Sequence, residues 1–222
     1  MISVSIISFL PSLSFFAVSC EIIKTRPIIK STAPVIDVIA VANLKGAIII
    51  AILCFILLIA NGFTDGWVVN NLCSVYRSSL ADPLTYVRFF GHVLGHSDFN
   101  HFFGNMSLFL VLSAIVENRY GSLKLLISIL ITAFVSGLVH FVFFPGTMLL
   151  GASGIVFMMI FLASMANSKN NVIPVSLILV ACIYLGKEIY AMVVSFDNIS
   201  QLTHIIGGIC GIIFGKFAGR RK

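Results

Sequence analysis

The stretch LGASGIVF, residues 150–157, places a serine between glycines at the start of an apolar segment. A second stretch, THIIGGICG at residues 203–211, places a histidine at the start of another glycine-rich apolar segment. An unpaired polar group in hydrocarbon is costly, so polar side chains in such segments are functional candidates. Ser153 and His204 are therefore the first residues that the sequence singles out.

The composition surrounding these two segments is that of a membrane protein. Of 222 residues, 59% are hydrophobic and 10% are charged, and the mean hydropathy is +1.09. A transmembrane helix needs about 20 mainly apolar residues. The pattern predicts an all-α integral membrane protein whose lipid-bilayer spans form a six-transmembrane-helix bundle, over residues 45–59, 101–116, 123–144, 152–165, 172–194 and 202–217.

The distribution of basic residues predicts the orientation of the chain. A formal net charge of +6 is also found in nucleic-acid-binding proteins, but here the basic residues follow alternate loops. Because basic loops stay in the cytoplasm, the pattern predicts that both termini are cytoplasmic, with no nucleic-acid partner. The residues on the predicted cytoplasmic side are Lys24, Arg26, Lys30, Lys45, Arg119, Lys124, Lys169, Lys216, Arg220, Arg221 and Lys222.

The predicted spans divide the chain into three parts. Residues 1–44 are expected to be a cytoplasmic or interfacial N-terminal segment, residues 45–218 the helical core, and residues 219–222 a basic cytoplasmic tail. The apolar start of the chain is open to three interpretations: an interfacial segment, an extra span, or an extension upstream of the true start. Residues 61–100 are predicted to be a long first external loop, whose aromatic side chains suit a membrane interface.

A pairing of Ser153 with His204 is chemically plausible from the spacing of glycines. Positions three, four, seven and eleven after His204 share one helical face, and all are glycine. Such a face allows close approach of another membrane helix. A hydrogen bond from serine to imidazole, about 2.6–3.2 Å long, would activate the serine as a nucleophile. The alternative is that both glycine-rich segments serve only helix packing.

His101 and Asn105 form a second candidate group. They are four residues apart at the external start of the second span, so both side chains project from one helical face. An imidazole and an amide that converge on a nucleophile would donate hydrogen bonds to an oxyanion. The alternative is that both are polar residues at the water interface, where they cost little.

Two other chemistries are not favoured by the sequence. His92, His96 and His101 are spaced by four and five residues, which is not a diagnostic metal-ligand pattern, and the chain contains no HExxH motif. Aspartyl chemistry needs two carboxylates, whereas the predicted spans contain only Glu188, beside Lys187. We therefore expect no metal and no cofactor.

Taken together, the motifs resemble those of the rhomboid family of intramembrane serine proteases, and the resemblance extends over nearly the whole chain from the first span onward. RFFGHVLGH at residues 88–96 resembles the family's first-loop signature, and HFFGNM at residues 101–106 resembles its H-x-x-x-N motif. ENRYGS at residues 117–122 resembles the end of the second helix. GASG at residues 151–154 and HIIGGICG at residues 204–211 resemble the G-x-S-G and H-x-x-G-x-x-x-G motifs.

The resemblance implies a six-helix core with a water-accessible cavity on the external side. It also implies roles for four residues: Ser153 as nucleophile, His204 as general base and then acid, and His101 and Asn105 as oxyanion donors. No third acidic residue is required in that family's catalytic dyad. The implied partners are the lipid bilayer and membrane proteins whose transmembrane segments are cleaved; the sequence assigns no oligomeric state.

Two positions depart from the family pattern. Val87 stands where the family commonly has Trp, and Phe157 stands where it often has Tyr. An aromatic ring at Phe157 would still stack on the histidine. The expected function is thus a bacterial-type rhomboid protease of the plasma membrane; the alternatives are a rhomboid-like protein that binds membrane helices without cutting them, and a small transporter or channel.

Overall fold

The computed structural model describes residues 45–166, 175–180, 182–183, 186, 190 and 199–218. Secondary structure in these residues is helical, apart from one isolated antiparallel bridge between Val75 and Leu149. A single 3₁₀ turn covers His92–Leu94. The α-helices, in chain order, are α1 (Lys45–Phe63), α2 (Trp67–Asn71), α3 (Pro83–Gly91), α4 (Phe99–Tyr120), α5 (Ser122–Phe143), α6 (Ser153–Ser164), α7 (Val175–Val180) and α8 (Ile199–Phe217).

The helical content confirms the predicted all-α class. Three helices in the described part are long and apolar enough to cross a membrane, namely α1, α4 and α5, while α6 and α8 are shorter apolar helices. The predicted fifth span, residues 172–194, lies mostly outside the described residues, as do the predicted N-terminal segment 1–44 and the tail 219–222. The number of six spans stays a prediction.

Helix α6 is the centre of the bundle. It is only twelve residues long, and almost every side chain after its first turn is buried. The most extensive helix contact joins α8 to α6, and α4 packs on another side of α6. Apolar side chains from α4 and α6 fill this core, among them Phe109, Leu112, Val116, Met158, Met159 and Leu162.

The contact between α6 and α8 is made by backbone against backbone. A β-carbon built at Gly207 would overlap the carbonyl oxygen of Gly154, and one built at Gly211 would overlap the carbonyl oxygen of Met158. Small residues permit this separation because nothing projects between the helices. The close approach that the glycine face of α8 predicts is therefore confirmed.

The segment between α1 and α4, residues 64–98, is folded and anchored rather than extended. Arg88, only 3% exposed, donates from Nε to the carbonyl of Asn71 over 2.9 Å and forms an ion pair with Asp82 at 3.1 Å. Its guanidinium also stacks over the ring of Tyr76. Farther along, the Val75–Leu149 bridge ties this connecting segment to the residues before α6.

Replacing Gly207 by alanine should destabilise the protein, because the added methyl meets a backbone oxygen that cannot rotate away. Overpacking usually costs about 1–3 kcal/mol, and we expect Gly207→Ala to reach the upper part of that range. The measurement is the unfolding midpoint of the purified protein in detergent.

The matched control is Gly104→Ala in α4, where a β-carbon would meet nothing within 4 Å. Alanine is a better helix former than glycine by up to about 1 kcal/mol, so this variant should be as stable as the parent or slightly more so. Equal midpoints for the two variants would contradict the close packing of α6 and α8.

Candidate active site

Ser153 is the first residue of α6. Its N-cap is Ala152, which offers no side-chain cap, and the first bond within the helix runs from the N–H of Val156 to the carbonyl of Ala152 over 2.9 Å. The earlier N–H groups of a helix have no carbonyl partner within it and carry the positive end of the helix dipole. The serine thus lies where developing negative charge is stabilised.

Gly151 sets the direction in which the chain enters α6. Its φ is +116°, a conformation that side chains with a β-carbon rarely adopt. Its N–H donates to the carbonyl of His92 in the connecting segment over 2.8 Å. A β-carbon at this position would lie 2.7 Å from Nε2 of His101. Glycine is needed here both for the backbone conformation and for the space that His101 occupies.

His204 lies against the first turn of α6. Its ring is stacked on that of Phe157, with centroids 4.2 Å apart and planes inclined by 3°. One residue earlier, Thr203 packs against Gly154. A β-carbon built at Gly154 would lie 2.8 Å from Cγ2 of Thr203. The structure therefore brings the predicted base to the turn that begins with Ser153, and it confirms the predicted stacking of Phe157.

His101 and Asn105 approach the same place from α4. Both belong to the first two turns of that helix, and Nδ2 of Asn105 lies 3.9 Å from the position that a β-carbon on Gly151 would take. One hydrogen of this amide is donated to the carbonyl of His101 over 3.1 Å. An amide carries two such hydrogens, so the second one remains for another acceptor.

Ser97 and Asp98 also belong to the site, although the sequence did not predict them as site residues. Asp98 is the N-cap of α4 and accepts the N–H of His101 over 2.9 Å. The hydroxyl of Ser97 lies 3.1 Å from Nδ1 of the same histidine. An aspartate directly before an apolar helix is typical of an N-cap, so the sequence could have predicted this role of Asp98. Nothing in the spacing indicates the contact between Ser97 and the imidazole.

His92 and His96 are buried in the connecting segment, outside the spanning helices. The pKa of each is lowered to about 4, mainly by burial and to a smaller extent by a nearby imidazole, His140 for His92 and His101 for His96. Both are therefore neutral at physiological pH. Among the described residues, no three His, Cys, Asp or Glu side chains are grouped so that they could hold a metal ion. Lys187 and Glu188 lie outside the described residues.

These helices and side chains define a class of protein: a multi-pass integral membrane protein in which a serine begins one helix and a histidine lies in the second turn of the helix packed against it. The family model for the Rhomboid domain matches residues 83–221, more than half of the chain. The protein belongs to the rhomboid family, whose members are generally intramembrane serine proteases and include inactive ones. A search of the curated proteins finds no significant match.

The low pKa values of His92 and His96 predict that acid destabilises the fold. In the unfolded chain a histidine binds a proton near pH 6.5, whereas these two remain neutral in the folded protein down to about pH 4. Between those values the unfolded state binds more protons, so the free energy of unfolding falls as the pH falls, by up to about 3 kcal/mol per imidazole.

Thermal unfolding in detergent, followed from about pH 7.5 down to about pH 4.5, measures this dependence. His96→Gln removes one of the two titrating rings and should make the fall shallower. A melting temperature with the same pH dependence in the parent and in this variant would refute the contribution of His96.

Proposed function

We propose that this protein is an intramembrane serine endopeptidase that cleaves transmembrane segments of membrane proteins through a dyad of Ser153 and His204. The observation that carries the proposal is the stacking of His204 on Phe157, one turn after Ser153, with backbone contact between the two helices. A serine and a histidine on adjacent turns of two packed helices support base-activated attack by the serine.

The reaction follows from the two side chains. Ser153 Oγ attacks the carbonyl carbon of the scissile peptide, and its proton passes to His204. When the tetrahedral intermediate collapses, the C–N bond breaks and His204 returns the proton to the leaving amine. Water then attacks the acyl-enzyme, again giving its proton to His204. The C–O bond to Ser153 breaks as His204 passes that proton to Ser153 Oγ, which regenerates the free serine. The stacked ring of Phe157 holds the imidazole in one orientation throughout.

His101, Asn105 and the first N–H groups of α6 would stabilise the oxyanion of both intermediates. The approach of His101 and Asn105 to Gly151 supports this role, since Gly151 lies two residues before the nucleophile. Donors fixed before the reaction lose little free energy through reorganisation, and each is worth a factor of about 10²–10³ in rate.

The membrane arrangement is part of the same proposal. The core, residues 45–218, would form six transmembrane helices in a bacterial plasma membrane, with both termini in the cytoplasm and residues 61–100 on the external side. At 1.5 Å per residue, α6 is about 18 Å long, against a hydrocarbon thickness of about 30 Å. A helix this short favours a nucleophile below the membrane surface, reached by water from the external side.

Ser153→Ala and His204→Ala should each abolish cleavage of a reporter whose transmembrane segment contains helix-destabilising residues. The first variant lacks the nucleophile and the second lacks its base, and each loss should lower turnover by at least about 10³-fold. The measurement is the amount of cleaved reporter formed by purified protein in proteoliposomes.

The control for this pair is Ser164→Ala, which changes the last residue of the same helix, where the hydroxyl donates to the carbonyl of Phe161. It should retain cleavage. Labelling by a fluorophosphonate separates an enzyme from a non-catalytic rhomboid-like protein, because only an activated Ser153 reacts. Labelling that persists in Ser153→Ala, or cleavage by that variant, would refute the proposed function.

Single replacement of His101 or Asn105 by alanine should lower kcat by about 10²–10³-fold while leaving KM nearly unchanged, since an oxyanion exists only after attack. Asn118→Ala, at the exposed far end of the same helix, serves as the control. If both variants raise KM at unchanged kcat, the two residues bind substrate instead of stabilising the oxyanion.

A further inference from the structure

We propose that Ser97 and Asp98 are positioning residues that hold the imidazole of His101 in place by its Nδ1 atom, leaving Nε2 to face the start of α6. The proposal rests on the proposed function, because His101 is the residue through which the pair would act. Neither residue touches the reacting atoms.

Ser97 contacts the imidazole of His101 through its hydroxyl and through its backbone nitrogen. The hydroxyl oxygen of Ser97 lies 3.1 Å from Nδ1 of the ring, and the backbone nitrogen of Ser97 lies 3.4 Å from the same atom. Two groups of one residue thus meet one nitrogen. The backbone N–H of Ser97 donates only to an Nδ1 atom without a proton, so in this arrangement Nδ1 accepts and the proton of the neutral ring lies on Nε2. Rotation of the ring would break both contacts with Ser97.

Asp98 contacts both Ser97 and the backbone of His101. One carboxylate oxygen lies 2.8 Å from the hydroxyl oxygen of Ser97, which has a single proton to share between this oxygen and Nδ1, and the other accepts the backbone N–H of His101 over 2.9 Å. These donors hold the pKa of the carboxyl below its usual range, with the N–H of His101 contributing most. Ionised Asp98 therefore fixes both the side chain of Ser97, which contacts the ring of His101, and the first turn of α4, to which His101 belongs.

The other ring nitrogen of His101, Nε2, faces the residues that precede α6. Nε2 of His101 is the atom nearest to the space beside Gly151, 2.7 Å from where a β-carbon would lie. The ring also meets His96 edge to face at 5.0 Å between centroids. Charged or titratable groups that act on this ring are Asp98 from its own helix cap, His96 from the connecting segment and His204 from α8. Ser97 is the residue that contacts Nδ1 of the ring, and Asp98 acts on the ring through Ser97 and through the backbone N–H of His101.

The exposure of the pair limits the size of the effect. Ser97 and Asp98 are both exposed, so water competes for their hydrogen bonds. Loss of the Ser97 hydroxyl should lower kcat by about twofold to tenfold, the rate equivalent of one neutral hydrogen bond. This is well below the roughly 10²–10³-fold expected for loss of an oxyanion donor itself.

The kinetic test compares Ser97→Ala with Ser97→Thr, which keeps a hydroxyl, and with Ser107→Ala, which removes an exposed hydroxyl that bonds only within α4. We expect a fall in kcat at unchanged KM for Ser97→Ala, recovery in Ser97→Thr, and no change in Ser107→Ala. Equal kcat for Ser97→Ala and the parent would overturn the proposal.

Coupling to His101 distinguishes positioning from a general structural role. In a His101→Ala background, Ser97→Ala should lower kcat no further, because the group being positioned is gone. Asp98→Asn keeps an acceptor for the helix cap and should lose less stability than Asp98→Ala. A further tenfold fall in the double variant would show that Ser97 acts independently of His101.

A readout that does not depend on cleavage keeps this inference separate from the proposed function. In nitrogen NMR spectra of the full-length protein in detergent micelles, with the ring of His101 assigned from His101→Gln, the Nδ1 resonance should move in Ser97→Ala and stay near the parent value in Ser97→Thr. An unmoved resonance overturns the positioning role even if the protein cleaves its reporter. If the resonance moves in Ser97→Ala but Ser153→Ala cleaves the reporter as fast as the parent, the contact of Ser97 with His101 is supported and the proposed function is refuted.

Discussion

The contact of backbone with backbone between α6 and α8 is the constraint on which the rest of the site depends. Gly207 lies against the carbonyl of Gly154, and the same approach brings Thr203 and His204 to the first turn of α6. Any side chain at Gly207 would push the helices apart, and the imidazole would leave with α8. The close packing of the two helices and the position of His204 beside the first turn of α6 therefore depend on the same glycines.

A second constraint comes from the segment before α6. Gly151 bonds to the carbonyl of His92, and the space beside its α-carbon holds the ring of His101. His92 in turn belongs to the connecting segment, which Arg88 anchors through Asn71 and Asp82. Residues far from Ser153 in the chain therefore determine where the candidate oxyanion donors lie. This is also why the site needs a folded segment at the end of the bundle where α6 begins.

Much of this arrangement could be predicted from local pattern. Hydrophobicity indicates the helices, because a backbone surrounded by hydrocarbon must satisfy its own hydrogen bonds, and the glycines after His204 indicate the close helix contact. The stacking of Phe157 was also expected, from the resemblance to the rhomboid family, which often has Tyr at this position. Helix ends were less predictable: α1 continues to Phe63, past the predicted end at residue 59, since no glycine or proline with a special conformation stops it there. The network of Ser97 and Asp98 was missed because its contacts run from a loop to a ring.

The sequence by itself determined the membrane class of this protein, the family to which it belongs, and the polar residues that an apolar environment makes costly. Those follow from composition, periodicity and motif order, which are properties of the chain read in one direction. Only the tertiary structure decided that His204 stacks on Phe157 one turn after Ser153, that His101 fills the space beside Gly151, and that Ser97 contacts the Nδ1 atom of that ring. Each of these depends on the distance between residues remote in sequence or on the rotation of a side chain, and packing alone sets both.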